Sequence, residues 1–320
     1  MITFTKKAGK DFVILNLTDP QLASREWATP AGELLRRTVK ELISRSKPDL
    51  ITVSGDMSYG GEFEAYGHFR DMMDGFGIPW AVVFGNHDNQ AGQDKVSTAV
   101  DIMAKSPLFT FERGDGEMGI GNYMISVEQD GVPVETVFMM DTHDRFPVYD
   151  KDGNQADEGW GKLLPNQLAW YKENAEAQKK RGNRDSTLIT HIPIYAYRDA
   201  FCAAFSGVCD DKEIDLNDSA NPKYWNEGYR DSYGIKREGI GSYPEDEGMF
   251  DVIKEVGTTK TIITGHDHIN NYVIKYEGVT FVYALKTGMG CYWAEDMNGG
   301  TFITVGDDGV KEIRHEYVKP

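Results

Sequence analysis

Short apolar runs that end abruptly at polar turns recur along the chain. Residues 12–17, 50–53, 80–84, 188–189 and 261–264 are β-rich. Each is closed by a turn: Thr18-Asp19-Pro20-Gln21, Gly55-Asp56-Met57-Ser58-Tyr59-Gly60, Gly85-Asn86-His87-Asp88, Thr190-His191-Ile192-Pro193 and Gly265-His266-Asp267-His268. Such runs read as buried strands stopped at a loop. Between them the spacing turns helical. Residues 32–46 place Leu34, Leu35, Val39, Leu42 and Ile43 on one face, and Pro48 ends the segment. Helices are also predicted over 62–75, 94–105, 166–180 and 246–256. The β-α-β-α-β order up to residue 84 implies right-handed crossovers and a largely parallel half-sheet.

Beyond residue 105 the pattern changes to strand pairs. Residues 123–127 and 134–140 flank Gln129-Asp130-Gly131, a hairpin signal. The tail alternates over 272–275, 279–283, 301–305 and 310–316, with turns at Glu277-Gly278 and Asp308-Gly309. This predicts a second, antiparallel half, and the two halves together an α/β fold built as a β-sandwich flanked by helices.

The strand-end turns carry the candidate chemistry. Asn supplies a neutral carbonyl oxygen, Asp a carboxylate and His an imidazole, all suited to a metal or to proton transfer. Four of the seven histidines, His87, His191, His266 and His268, fall inside these turns. In α/β sheets the carboxyl ends of strands are where sites are built, so turns far apart in sequence can meet in space. The absence of Cys ligands favours Mn, Fe, Zn or Mg over a thiolate-held zinc. In Gly265-His266-Asp267-His268, alternate residues of an extended segment point the same way, so both imidazoles can face one centre.

The series Asp-x-Gln, Gly-Asp-x-x-x-Gly, Gly-Asn-His-Asp, Thr-His-x-Pro, Gly-His-x-His resembles the calcineurin-like metallophosphoesterase superfamily. Gly119-Ile120-Gly121-Asn122-Tyr123, Gln167-Leu168-Ala169-Trp170-Tyr171 and His266-Asp267-His268-Ile269-Asn270 resemble more narrowly its Dcr2/purple-acid-phosphatase-29-like branch. The likeness runs from about residue 12 to the end. It implies a four-layer αββα sandwich of two mixed sheets and a pair of metal ions. It also implies a first metal held by Asp19, Asp56 and His268, with Gln21 as a further candidate. A second would be held by Asp56, Asn86, His191 and His266, with Asp56 bridging. Many relatives carry His where Gln21 stands. Tyr59 lies three residues after Asp56, where purple acid phosphatases place a phenolate ligand to ferric iron. Ligation by Tyr59 implies Fe(III); a Tyr59 that only packs leaves Mn, Fe(II) or Zn.

Charge narrows the substrate. A net charge of −17 and a pI near 4.8 repel long polyanions, so a long nucleic acid is excluded as partner while a small phosphorylated substrate is not. No apolar stretch is long enough to span a bilayer, and residues 1–7 lack a signal-peptide core, so the chain as it stands reads as soluble and cytoplasmic, or extracytoplasmic if a leader was trimmed. Nothing fixes an oligomeric state. Cys202 and Cys209 could close a short loop by a disulfide; Cys291 stands alone.

The five turns, Asp19 to His268, must meet, which points to one domain over 1–320. Residues 195–248 are long, aromatic and acidic with little periodicity, and read as a loop or lid over the site. Within it Tyr197, Arg198, Tyr224, Trp225, Tyr229, Arg230 and Lys236 are candidate substrate contacts. His143, in Asp141-Thr142-His143-Asp144, is a candidate for the rim. Asp150-Lys151-Asp152-Gly153-Asn154 looks like a calcium loop, but Gln155 and Gly161 occupy the positions that need Gly and Glu. It reads as a solvated acidic loop.

The expected chemistry is in-line attack on phosphorus by a metal-activated water, with His87 protonating the leaving group and Asp88 orienting His87. A phosphodiesterase needs the same groups. A non-catalytic metal-binding protein on this fold is the reading from another class.

Overall fold

The computed structural model describes residues 1–90, 92–205, 225–229 and 231–320. In chain order these form β1 (Ile2–Thr5), β2 (Phe12–Leu17), α1 (Pro30–Ser46), β3 (Leu50–Ser54), α2 (Phe63–Asp74), β4 (Trp80–Val83), α3 (Asn86–Asn89) and α4 (Gln93–Met103). Then come β5 (Tyr123–Gln129), β6 (Val132–Met139), β7 (Arg145–Tyr149), β8 (Gln155–Trp160), α5 (Pro165–Lys180), β9 (Ser186–Ile189) and α6 (Ala196–Ala204). The chain closes with α7 (Met249–Val256), β10 (Thr259–Thr264), β11 (Val273–Tyr276), β12 (Val279–Tyr283), β13 (Gly299–Gly306) and β14 (Gly309–Tyr317).

Two mixed sheets carry the architecture. One runs β1-β5-β6-β9-β10-β12-β11, the other β14-β13-β2-β3-β4. Side-chain parity stacks them face to face. On β2, Phe12 and Ile14 join Val83 of β4, Val137 of β6, Ile263 of β10 and Ile303 of β13 in one core between the sheets. The alternate residues Leu15 and Leu17 turn outward to Leu35 and Val39 of α1, Phe69 of α2 and Val100 of α4. On the other sheet Phe138, Leu188, Ile262 and Phe281 turn outward to Tyr171 of α5, Phe201 of α6 and Ile253 of α7. Strands covered on both faces need apolar residues at every position, which is why the runs are continuous rather than alternating. The four-layer αββα arrangement expected from the resemblance is the one found.

Helix boundaries follow local chemistry. Helix α1 starts two residues before the predicted 32–46 because the Thr29 side chain caps Ala31 N and Pro30 occupies the first turn. Lys47, at φ 45°, closes it.

Two expectations, on the tail and on the start of segment 195–248, need correction, and two details are new. The tail is not a separate antiparallel half: β12 runs parallel to β10 in the larger sheet, and β13 crosses back to pair antiparallel with β2 in the other. Alternation reports a covered face, not which sheet supplies the cover. The acidic stretch at 150–154 is the turn of a separate hairpin, β7–β8, with Asp150 Oδ1 accepting from Asp152 N and Asn154 N. The segment 195–248 opens with α6, whose Tyr197, Ala200, Phe201 and Ala204 are buried in the core, so its start is packed structure rather than loop. Strand β1, too short to announce itself, pairs parallel with β5. Cys209 lies outside the described residues, and with it the expected Cys202–Cys209 bridge. No helix among the described residues is long and apolar enough to cross a membrane.

A carboxyl group is buried in the core between the sheets. Glu135 shares the parity of Val137 and Met139, is fully buried, and neither of its carboxyl oxygens has a hydrogen-bond partner. Thr136 pairs with Ser186, so Asp185 flanks Glu135 on the neighbouring strand. Burial first, then Asp185, pushes the Glu135 carboxyl well above its ordinary range. Folding therefore retains a proton that the unfolded chain releases, and the penalty grows as pH rises above the unfolded value of 4.5. Glu135→Leu is expected to stabilise the protein by on the order of 1–3 kcal/mol at pH 8 and by less at pH 5, read from denaturant unfolding at both.

Candidate metal centre

Three of the ligand-bearing turns leave the carboxyl ends of β2, β3 and β4 in one sheet, and two leave β9 and β10 in the other. They meet at the seam. Asp19 N donates to Gly55 O (3.2 Å) and Gln21 N to Asp56 O (2.9 Å), fastening the first two loops. Across the seam, His266 N donates to Asp19 Oδ2 (3.1 Å), while Gly265 N donates to His191 O (3.0 Å) within its own sheet's pair of loops. A Cβ on Gly265 would lie 2.0 Å from Thr18 Oγ1, and one on Gly85 2.1 Å from Asp56 Oδ1. Only glycine lets these loops close. Asp19, Gln21, Asp56 and His266 all hold positive φ, 53°, 44°, 52° and 75°. Each such residue costs on the order of 1–3 kcal/mol, so the surrounding bonds must over-determine it.

The ring tautomers follow from the carbonyls. Ser54 O lies 2.8 Å from His191 Nδ1, so that nitrogen carries the proton and Nε2 presents a lone pair. That lone pair faces Asn86 Oδ1 at 3.0 Å and Asp56 Oδ2 at 3.4 Å. Likewise Tyr292 O accepts from His268 Nδ1 (2.8 Å), and His268 Nε2 faces Asp19 Oδ1 at 3.3 Å. His266 Nδ1 sits 2.9 Å from the same Asn86 oxygen. Gln21 Nε2 donates to Asp56 Oδ2 (3.0 Å). Asp19 Oδ1 and Gln21 Oε1 are buried with no hydrogen-bond partner. Ligand atoms of Asp19, Asp56 and His268 lie within 4.8 Å of one another.

So many acceptors facing acceptors are tolerable only with positive charge between them. Without a metal, that charge is a proton. Burial works against it, yet Asp56 and then Asp19 raise His191 to about 10. Burial alone would also raise Asp19, but His268 and His191 outweigh it and hold its carboxyl far below the usual range. His266 is pushed down to about 3 by burial and by its neighbour His191. Buried Lys286 donates to Asp19 O (2.6 Å), and burial lowers its ammonium to about 8.

The remaining expected residues divide. His87 lines a cavity of about 430 Å³ over the centre, its N donating to Asp56 Oδ1 (2.9 Å) and its Nδ1 3.2 Å from Gln90 Oε1. Asp88 does not orient it. Its carboxylate turns back under the loop, accepting from Gly85 N, Met57 N, Ser58 N and Tyr66 OH. Burial and Asp56 push that carboxyl up to about 7. Tyr59 does not stand among the buried ligand atoms; its ring is 47 % exposed and stacks on His87 at 5.1 Å. His143 is drawn aside by Gln167 Oε1 (3.3 Å) and Asp141, away from the cavity wall.

Among the substrate candidates, Arg198 lines the cavity, held by Ser242 Oγ and Ile240 O. Tyr197 does not: it is fully buried on the inner face of α6, and its hydroxyl donates to Ile262 O and Val282 O. Trp225 and Lys236 are likewise buried in packing, against Phe205 and Phe201, and Tyr229 packs on the same core. Tyr224 and Arg230 lie outside the described residues. Sequence reasoning missed Trp160, Glu238, Ile240 and Tyr292, which complete the wall. None sits in a metal-ligand motif, and only the closed fold brings them there.

The chain belongs to the calcineurin-like phosphoesterase family. The family pattern matches residues 13–270. This phosphoesterase-family chain is 25% identical over 286 residues to a protein named probable inactive purple acid phosphatase 28 from Arabidopsis thaliana, covering 80% of this chain and 62% of that one. It is 23% identical over 291 residues to phosphatase DCR2 of Saccharomyces cerevisiae, covering 82% and 43%. It thus spans less than two thirds of either relative. Among solved structures, purple acid phosphatase PPD1 from yellow lupin covers 97% of the chain and 46% of its own at 11% identity, with a TM-score of 0.44.

If Asp88 is a loop anchor, removing its charge must tell on folding. Asp88→Asn is expected to lower the unfolding free energy by on the order of 1–3 kcal/mol, because one amide cannot accept from four donors. Unchanged stability in denaturant unfolding would return Asp88 to a role on the His87 ring alone.

Proposed function

We propose that this chain is a dinuclear-metal-dependent hydrolase of small phosphate monoesters. The observation that carries the reading is the convergence of lone pairs: Asp19 Oδ1 and Gln21 Oε1, buried with no hydrogen-bond partner, stand beside Asp56 Oδ2, Asn86 Oδ1, His191 Nε2 and His268 Nε2. Hard oxygens and imidazoles fit Mn, Fe or Zn. Asp19, Asp56, His268 and Gln21 would hold one ion, and Asp56, Asn86, His191 and His266 the other. With Tyr59 stacked on His87 and Gln21 Oε1 turned inward unpartnered, Gln21 rather than Tyr59 is favoured for the first ion, and divalent metals over Fe(III).

Bound there, the two ions would supply charge for the phosphoryl oxygens and an acidified water. The chain's own groups do the rest. Ser54 O and Tyr292 O fix the tautomers that aim His191 Nε2 and His268 Nε2 inward. Backbone bonding to Asp56 and stacking on Tyr59 hold His87 at the cavity edge. With Nδ1 engaged by Gln90, Nε2 is the nitrogen left to hand a proton to a departing alkoxide. Arg198, fixed on one wall, supplies a cation for an ester oxygen.

A second reading is a metal-holding protein without turnover, favoured by the word inactive in the names of several relatives. The two readings part on one experiment. Protein loaded with Mn, Fe or Zn is expected to hold two ions per chain by elemental analysis and to hydrolyse p-nitrophenyl phosphate faster than its bis-ester. His87→Ala should slow hydrolysis of an alkyl phosphate by ~10²–10⁴-fold, and of the nitrophenyl ester by less, since that leaving group needs no proton. Two ions with no turnover of any ester would establish the second reading; a faster bis-ester would make the chain a phosphodiesterase.

A further inference from the structure

One wall of the cavity is fastened to the loop that carries His266 and His268. Segment 235–241 follows residues 267–271 almost bond for bond. Asn271 Oδ1 accepts from Ile235 N (2.7 Å), and Asn270 Oδ1 accepts from Arg237 N (3.0 Å) and Glu238 N (3.2 Å). Asn270 Nδ2 donates back to Glu238 O (3.1 Å), and Asp267 Oδ2 accepts from Gly241 N (2.9 Å). Gly241 is so close that a Cβ there would lie 2.7 Å from the His266 ring.

The side chain of Glu238 closes the arrangement. Its Oε1 accepts from Ile269 N (2.7 Å), the residue after His268, and its Oε2 from Tyr292 OH (2.8 Å). The Tyr292 ring in turn lies flat on the His268 imidazole, 4.1 Å between centroids and 17° between planes, while its main-chain oxygen takes the His268 Nδ1 proton. The ring is 43 % exposed and faces the cavity beside Glu238, Gly239 and Ile240. A continuous contact path thus runs from His268, through one tyrosine and one carboxylate, to the cavity wall.

We propose that Tyr292 and Glu238 are positioning residues forming a latch, which makes the substrate-facing wall 235–241 take its place only when His268 is held in its ligating pose. The inference rests on the metal-dependent reading above. With His268 held in that pose, its imidazole would fix the tyrosine stacked on it, and the tyrosine and Ile269 together hold both oxygens of Glu238. Differential contacts of this kind are what lets one binding event shift another.

The test uses the full chain with and without Mn. Elemental analysis gives occupancy, hydrogen exchange over 235–241 gives the state of the wall, and initial rates give kcat and KM for a monoester with a bulky alcohol. In the unaltered chain, metal should raise exchange protection of 235–241 by about tenfold or more. Tyr292→Phe keeps the ring on His268 and removes the bond to Glu238; Glu238→Ala keeps the wall's main-chain bonds and removes the acceptors of both Ile269 N and Tyr292 OH. Both should still bind two ions, lose most of the metal-dependent protection, and show the loss mainly as a rise in KM of about tenfold, the worth of one charge-assisted bond. A merely structural role would lower stability without uncoupling protection from metal. Two bound ions with protection unchanged by metal, or variants that behave as the unaltered chain, overturns the latch and leaves the hydrolase reading standing. Two ions without turnover sinks the hydrolase reading while exchange still reports on the latch, and no bound metal overturns both.

Discussion

The bond from His191 Nδ1 to Ser54 O is the one on which the rest of the molecule depends. It crosses from one sheet to the other at their carboxyl edges, and it decides which nitrogen of a buried imidazole is left bare. Two sheets packed through an apolar core could slide or splay; a directional bond at the seam sets their relation. From that relation follow the approach of Asn86 and Asp56 to His191, of Asp19 to His266 and His268, and the need for glycine at 85 and 265. The electrostatic strain of the seam and its usefulness have one origin.

Much of this was legible in the sequence because metal chemistry and strand ends leave compact signatures. Asp19, Asp56, Asn86, His191, His266 and His268 each follow an apolar run, and the structure gathers all six. What stayed hidden depends on contacts that no local pattern encodes. The role of Asp88 was misread and that of Tyr59 left open because their neighbours in sequence are not those in space: Asp88 turns under the loop to meet Gly85 N and Tyr66 OH, and Tyr59 turns over His87. Tyr197 looked like an aromatic in a lid, but the periodicity of α6 was short and aromatic enough to pass for loop. Trp160 arrives on a hairpin whose acidic turn resembled open coil, and Tyr292 arrives 24 residues after the histidine it covers.

The two halves of the site also differ in what they ask of the fold. The ligand loops tolerate almost no change, since four residues at positive φ and two obligatory glycines leave no slack. The cavity wall is drawn from segments with little regular structure, whose placement rests on side-chain amides such as Asn270 and Asn271. The candidate ligands are thus anchored at strand ends, and the cavity wall in irregular segments.

The course of β2 has a consequence for how the protein is made. Leu15 pairs with Ile51 on one side and with Phe302 on the other, so the strand that delivers Asp19 lies between one of the earliest neighbours in the chain and one of the last. During synthesis that strand has an open edge until residues 299–306 leave the ribosome. A nascent chain therefore carries every ligand up to His268 before it has a frame to place the first of them. The seam is completed only once residues 299–306 are made, and chains interrupted before them present an unpaired apolar strand, the kind of surface that recruits chaperones or aggregates.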